Sequence, residues 1–320
     1  MDSPKSAKKL ISVVIPAFNE EGVVEELCRQ LRGVFDENPK YDFEAILVEN
    51  GSTDQTFEKL LQTHRQDPRF KIVQLARNFR MDGGMTAGLQ YARGEAAVIM
   101  TANLQDPPRM IPGFIQKWEE GYEHVYGVVA KRPGKGWLRK LNSQIFYFLI
   151  NKMTQNMIPR NASDSRLVDR KVYRVINQMH ERNRFMRGMF VWAGFKSVGL
   201  PFERNRRFAG KSHAHFSQVL QLAVQGIFAY SYVPIRFISF FGLALSGISL
   251  LYLLYAVFHI FWKGVPFAGY GTIISIMLLM YGFLFLILGI LGQYIAQIYE
   301  EVKARPNFVV KREIGFDSQE

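Results

Sequence analysis

Cysteine is nearly absent: Cys28 is the only one in 320 residues, so no intrachain disulfide can form and the chain suits a reducing compartment. Zinc-type Cys/His spacing is missing as well, the six histidines being scattered. No Gly-x-Gly-x-x-Gly follows the first apolar run, and no P-loop signature occurs, so both common phosphate cradles are excluded. Low-complexity and collagen-like runs are lacking, and 48% hydrophobic with 14% aromatic residues excludes a disordered chain. The first residues do not read as a signal peptide, because the apolar run from Leu10 stops at Pro16. Acids are in deficit, with 28 against 40 Lys and Arg, a formal net charge of +12.

Where that charge sits decides what it means. Basic residues crowd 131–140, 182–187, 204–211 and 303–312, and the last two groups flank the most apolar part of the chain. This favours a membrane surface over nucleic acid. Between Arg236 and Lys263, and again between Lys263 and Glu300, the chain runs without Asp, Glu, Lys or Arg. Each run exceeds the roughly 20 residues that a bilayer-crossing helix needs. The connecting loop carries only Lys263, so the positive-inside rule places residues 1 to 235 and the tail on the cytoplasmic side of the plasma (inner) membrane. The expected organisation is a cytosolic domain over 1–212, an amphipathic juxtamembrane segment over 213–236, spanning helices over 237–262 and 270–297, and a basic tail over 298–320. Gly242, Gly247, Gly289 and Gly292 suit close helix contacts, between copies in a homo-oligomer or within one chain.

Residues 11–130 alternate between short apolar runs and amphipathic stretches. "ISVVIPAF", "FEAILVEN", "FKIVQL", "EAAVIMTA" and "HVYGVVA" read as strands; "EEGVVEELCRQLRGVF", "TDQTFEKLLQTH", "GGMTAGLQYA" and "MIPGFIQKWEEG" read as helices, with Ser52 or Thr53 capping the second. Alternation of this kind implies an α/β fold around a mostly parallel sheet. Ligands of such folds sit at the C-terminal ends of the strands, here Asn19-Glu20, Glu49-Asn50, Arg77-Asn78 and Asn103 to Asp106. The fourth end, in "VIMTANLQDPPRM", stops at two prolines and holds a single carboxylate.

The stretches "VVIPAFNEE", "VENGSTDQT", "LARNFRMDGGMTAGLQYARGE" and "TANLQDPP" together resemble the inverting family-2 glycosyltransferases of the GT-A fold, a Rossmann-like architecture. "SDSRLVDRKV", "RFMRGMFVWAGF" and "RRFAGKSH" resemble the group that glycosylates polyisoprenyl phosphates, in which a catalytic domain precedes a two-helix transmembrane hairpin. The resemblance implies a nucleotide-sugar donor, with uridine favoured over guanosine, and a polyprenyl-phosphate acceptor. On it, Pro16, Ala17, Asn19, Glu21, Glu49, Asn50, Asp82, Asn103 and Gln105 would bind the donor. Asp164 and Arg166 would lie beside the reacting sugar, with Asp106 as the remaining acid. Arg132, Arg139, Arg206, Arg207, Lys211 and Ser212 would hold the acceptor phosphate, since arginine forks grip phosphate in two places. A phosphate monoester is already a nucleophile and needs positioning more than a base.

One departure bears on the metal. Thr101 and Asn103 replace the Asp-x-Asp usual in the family, and Glu49-Asn50 replaces two aspartates. Mg²⁺ or Mn²⁺ would then bind weakly through Asn103 and Gln105, carried in by the donor, because such ions prefer carboxylates. Basic side chains in its place, or a catalytically impaired membrane scaffold or nucleotide-sugar-binding protein of the same fold, are the other readings. A processive polysaccharide synthase is excluded by the lack of Gln-x-x-Arg-Trp and of further spans.

Overall fold

The computed structural model of the chain describes residues 8–131, 161–205, 233–264 and 269–316. Met1–Gln221 with Arg305–Glu320 form one compact unit, and Leu222–Ala304 another. In the first unit the strands are β1 (Lys9–Ala17), β2 (Tyr41–Glu49), β3 (Phe70–Leu75), β4 (Ala96–Ile99), β5 (His124–Lys131), β6 (Ala162–Asp169), β7 (Ser197–Glu203) and β8 (Val310–Ile314). Its helices are α1 (Val24–Glu37), α2 (Thr56–Gln66), α3 (Arg80–Tyr91), α4 (Ile111–Glu119), α5 (Arg170–Gln178) and α6 (Met186–Trp192).

The strands join in one sheet of order β7-β5-β6-β4-β1-β2-β3-β8. Its centre, β4-β1-β2-β3, is parallel. Helices cover both faces there, which is why Ile11 to Ala17 and Phe43 to Glu49 are buried without alternation. On one face, odd-numbered residues Ile11, Val13 and Ile15 of β1 join Leu27 and Leu31 of α1, Leu60 of α2 and Phe114 of α4 in a single core. On the other face α3 lies so close that a Cβ on Gly88 would stand 2.2 Å from Val14 Cγ1 and 3.1 Å from Val48 Cγ2. Glycine is the residue that lets α3 touch the sheet.

Beyond β4 the pattern changes. β6 runs antiparallel to β4 and β5 antiparallel to β6, and β7 returns parallel to β5. Thus "HVYGVVA" is a strand as its apolar run suggests, but not a parallel neighbour of β4. At the far edge, part of the segment read as a basic tail is a strand. β8 pairs antiparallel with β3, and Tyr91 donates from its hydroxyl to Glu313. Lys311, Arg312 and Glu313 are exposed along it, the charged composition that protects a sheet edge. Of the amphipathic segment expected over 213–236, residues 213–232 lie outside the described residues, and Val233 to Arg236 open the first helix of the second unit.

In the second unit, α7 spans Val233–Lys263 and α8 spans Tyr270–Lys303. Among the described residues one stretch, Leu279–Lys303, is long and apolar enough to cross a membrane, with mean hydropathy 1.9. α7 also carries an apolar stretch, Phe240–Tyr252.

Gly88→Ala tests the close approach of α3. Its gain in helix propensity, about 1 kcal/mol, is outweighed by overpacking against two β-branched side chains. We expect a net loss of about 2 kcal/mol in chemical denaturation of the solubilised protein.

Candidate active site

The C-terminal ends of β1 and β2 are laced together by their own polar residues. Asn19 donates its N–H to Ser52 Oγ at 3.1 Å and accepts from Thr53 N–H at 2.9 Å through Oδ1. It holds φ 53°, a left-handed conformation that asparagine tolerates. Glu21 accepts from Gln55 N–H at 2.9 Å and donates its own N–H to Asp54. Glu49 accepts from Ser52 N–H. Asn50 reaches the loop after β3, accepting from Phe79 N–H at 2.9 Å and donating to Arg80 O at 2.8 Å. The backbone there is equally close: Gly51, at φ 71°, leaves 2.4 Å between an added Cβ and Arg77 C. Pro16 and Ala17 are buried beneath, with the Pro16 ring against Gly84 of α3.

These bonds correct part of the sequence reading. Neither Ser52 nor Thr53 caps α2; Gln55 occupies the cap position without a side-chain bond, and Asp54 accepts from Thr56 N–H. Glu49 and Asn50, 2% and 3% exposed, shape the cradle with side chains directed at neighbouring backbone.

The stretch after β4 alternates. Thr101, Asn103 and Gln105 are partly exposed, whereas Ala102, Leu104 and Asp106 are buried. Leu104 takes φ 54° to turn inward. Asn103 Oδ1 accepts from Thr101 Oγ1 and from Gln105 N–H, each at 3.1 Å. Asp106 is 0% exposed, and both its oxygens are taken. Oδ1 accepts from Arg204 Nε at 2.9 Å; Oδ2 accepts from Ser165 Oγ at 2.8 Å and from Ser163 Oγ. Asp106 therefore supports the loop from inside and does not open toward a ligand. Asn205 N–H adds a bond to Gln105 O at 2.9 Å, so the end of β7 is tied to this loop.

A second cluster gathers Asp82, Asp164, Arg166 and Arg187. Arg187, from α6, binds Asp164 with Nε at 2.6 Å and Nη2 at 2.8 Å. Burial alone would raise the Asp164 carboxyl, but the charge and hydrogen bonds of Arg187 outweigh it and hold it at about 2. Arg166 is 3% exposed, donates to the Ser163 and Asp164 carbonyls and lies 4.8 Å from the Phe190 ring centroid. Burial lowers its guanidinium to about 10. Asp82 accepts from Met186 N–H at 3.1 Å, fastening the start of α6 to that of α3. Burial, aided by the Asp164 charge, pushes Asp82 up to about 6.

Neither Arg187 nor Arg204 is marked as a site residue by the sequence. Their partners stand 23 and 98 positions away, so nothing local marks them. Arg132, Arg139, Arg206, Arg207, Lys211 and Ser212 lie outside the described residues. Among the described residues no three His, Cys, Asp or Glu side chains form a metal-holding group. Asn103 and Gln105 offer neutral amide oxygens, one of which already accepts two hydrogen bonds. That donor set fits only an ion held chiefly by another ligand.

A family model, glycosyl transferase family 2, matches residues 12–176. An uncharacterized glycosyltransferase of Bacillus subtilis is 38% identical, over 96% of this chain and 95% of its own. Another from Synechocystis is 37% identical, over 94% of each. A prophage-derived bactoprenol glucosyl transferase of Shigella flexneri is 33% identical, over 94% of this chain and 97% of its own. The chain belongs to glycosyl transferase family 2, and it is a glycosyltransferase with a GT-A fold.

The Asp82 shift gives a pH signature. A carboxyl raised from 3.8 to about 6 binds its proton more readily in the folded protein. Its contribution to stability is complete below the ordinary value and is lost as pH rises through about 6. Asp82→Asn keeps an oxygen for Met186 N–H but cannot titrate. Unfolding free energies between pH 4 and 6.5 should fall by about 2 kcal/mol more in the wild type than in the variant. Equal slopes would show that Asp82 is not shifted.

Proposed function

We propose that this glycosyltransferase moves one sugar, with inversion, from a nucleotide sugar to a polyprenyl phosphate at the cytosolic membrane face. A uridine nucleotide is favoured over a guanosine one. The observation that carries this reading is the near-full-length similarity to a bactoprenol glucosyl transferase. The apolar stretch Leu279–Lys303 supports membrane attachment, with the two-helix hairpin and both termini cytoplasmic as part of the same proposal. The boundaries 1–212, 213–236, 237–262, 270–297 and 298–320 belong to it too, except that Val310–Ile314 joins the sheet.

In this reading an acceptor phosphate oxygen attacks the anomeric carbon while the bond to the nucleoside diphosphate breaks. The laced loops of Pro16, Ala17, Asn19, Glu21, Glu49 and Asn50 receive the nucleotide. Asn103 and Gln105 face the diphosphate, and any Mg²⁺ or Mn²⁺ arrives with it. Asp164, ionised and gripped by Arg187, is unsuited to taking a proton near neutral pH. Its part is to hold α6 and β6 beside the reacting sugar, with Asp82 and Arg166 as partners. The acceptor, largely a dianion at pH 7, needs no base. Arg206, Arg207, Lys211, Ser212, Arg132 and Arg139 are assigned to its phosphate.

The test incubates purified full-length protein with undecaprenyl phosphate and a panel of UDP and GDP sugars, with Mn²⁺, Mg²⁺ or chelator. Formation of a glycosyl lipid with release of nucleoside diphosphate is expected for at least one donor; none across a broad panel would sink the reading. Arg187→Ala should lower kcat about 100-fold, because misplaced reacting groups forfeit positioning. The double substitution Thr101→Asp with Asn103→Asp should deepen the loss of activity on chelation, as two carboxylates make the site depend on its ion.

A further inference from the structure

The segment that leads into β8 runs beside the start of α3. Ala76 donates its N–H to Val309 O at 2.9 Å, so this segment holds the residue from which the loop of Arg77, Asn78 and Phe79 departs. Asn50 binds the same loop from the cradle, through Phe79 N–H and Arg80 O. Further back along the segment, Asn307 O lies 3.1 Å from where a Cβ on Gly83 would stand, and Phe79 Cβ lies 2.7 Å from it. Gly83 is thus packed between the loop and Asn307, next to Asp82. Pro306 precedes Asn307 and fixes its own backbone torsion, which stiffens the approach.

The side chain of Asn307, half-buried, makes a second connection. Its Nδ2 donates to Glu181 O at 3.2 Å. Glu181 stands between α5 and α6, shortly before Met186, whose N–H is held by Asp82 at 3.1 Å. The start of α3 and the approach to α6 are therefore joined twice, once by Asp82 directly and once across Asn307. A single bond fixes a point, whereas two separated bonds also fix an orientation. Orientation matters here because Arg187, in the first turn of α6, meets Asp164 through two bonds of 2.6 and 2.8 Å. A fork of that kind tolerates little rotation.

We propose that Asn307 is a positioning residue of sugar transfer, bracing α6 against the start of α3 so that Arg187 meets Asp164 in register. The inference rests on the reading above that sets Asp164 beside the reacting sugar. Asn307 touches no reacting group itself and acts through Glu181 O and α6. Replacing its side chain leaves the main-chain contacts with Ala76 and Gly83 in place. The nucleotide cradle then keeps its affinity, and the loss falls on kcat.

The experiment compares the full-length protein in detergent with Asn307→Ala, Asn307→Asp and Glu313→Ala. Asn307→Asp keeps the shape of the side chain and loses its N–H donor, so it should behave like Asn307→Ala. Glu313→Ala removes the bond from Tyr91 and loosens β8 itself, away from Asn307. With a donor sugar that the wild type transfers, kcat should fall about tenfold in both Asn307 variants. Donor KM should stay within about twofold, and kcat should hold in Glu313→Ala. Hydrogen exchange of the 181–187 amides, read without any donor, should quicken about fivefold in the Asn307 variants alone. An unchanged kcat in Asn307→Asp, or an equal fall in Glu313→Ala, overturns the proposal, and so does exchange at 181–187 that matches the wild type. A wild type that transfers no sugar would defeat the function proposed above, and the exchange measurement would still decide whether Asn307 braces α6.

Discussion

A carboxylate sealed from water holds the centre of this fold in register. Asp106 is 0% exposed, and an ion so placed is tolerated only when it is paired and hydrogen-bonded. Its partners come from two directions. Ser163 and Ser165 stand on β6, and Arg204 follows the last residue of β7. One buried charge thus joins the loop after β4, the strand beside it and the start of the basic segment that continues from Asn205. The outward set Thr101, Asn103 and Gln105 alternates with the buried Ala102, Leu104 and Asp106 through a turn in which Leu104 takes φ 54°, so the outward set rests on the inward one. Removing the anchor would leave Arg204 unpaired as well as the loop unsupported.

The second ion pair sets the electrostatics. Asp164 and Arg187 bind each other in a two-pronged bond, which holds the carboxylate low against the burial that would raise it. Nearby Asp82 has no such partner and is raised to about 6. Two acids a short distance apart are thereby held in different protonation tendencies, a pattern that gathers at functional sites. For the proposed transfer this matters because the reacting groups are anionic on both sides. An ordered array of arginines supplies compensation without a strongly tuned base.

Some of this was legible in the chain and some was not, and the difference is physical. β3 occupies Phe70–Leu75, the same residues as its apolar run, because a central strand buried on both faces shows itself by composition. β8 has only Val310 and Ile314 as apolar residues, an edge strand whose charged middle looks like a tail. Asn19, Glu49 and Asn50 stand out in the sequence as polar groups at strand ends, which they are. Whether such a group faces a ligand or bonds the next loop depends on what lies across the gap, and here backbone N–H groups do.

The chain by itself determined the alternating α/β order, the long apolar C-terminal runs, the family, and the absence of an Asp-x-Asp pair. These follow from local composition and from motif order, which need no knowledge of distant contacts. Tertiary structure alone decided that β6 inserts antiparallel between β4 and β5 and that the tail completes the sheet. It also decided that Asp106 is spent on Arg204, and that Arg187 is the partner of Asp164. Strand direction, burial and ion pairing all depend on which residues meet across tens of positions, and that is settled by packing.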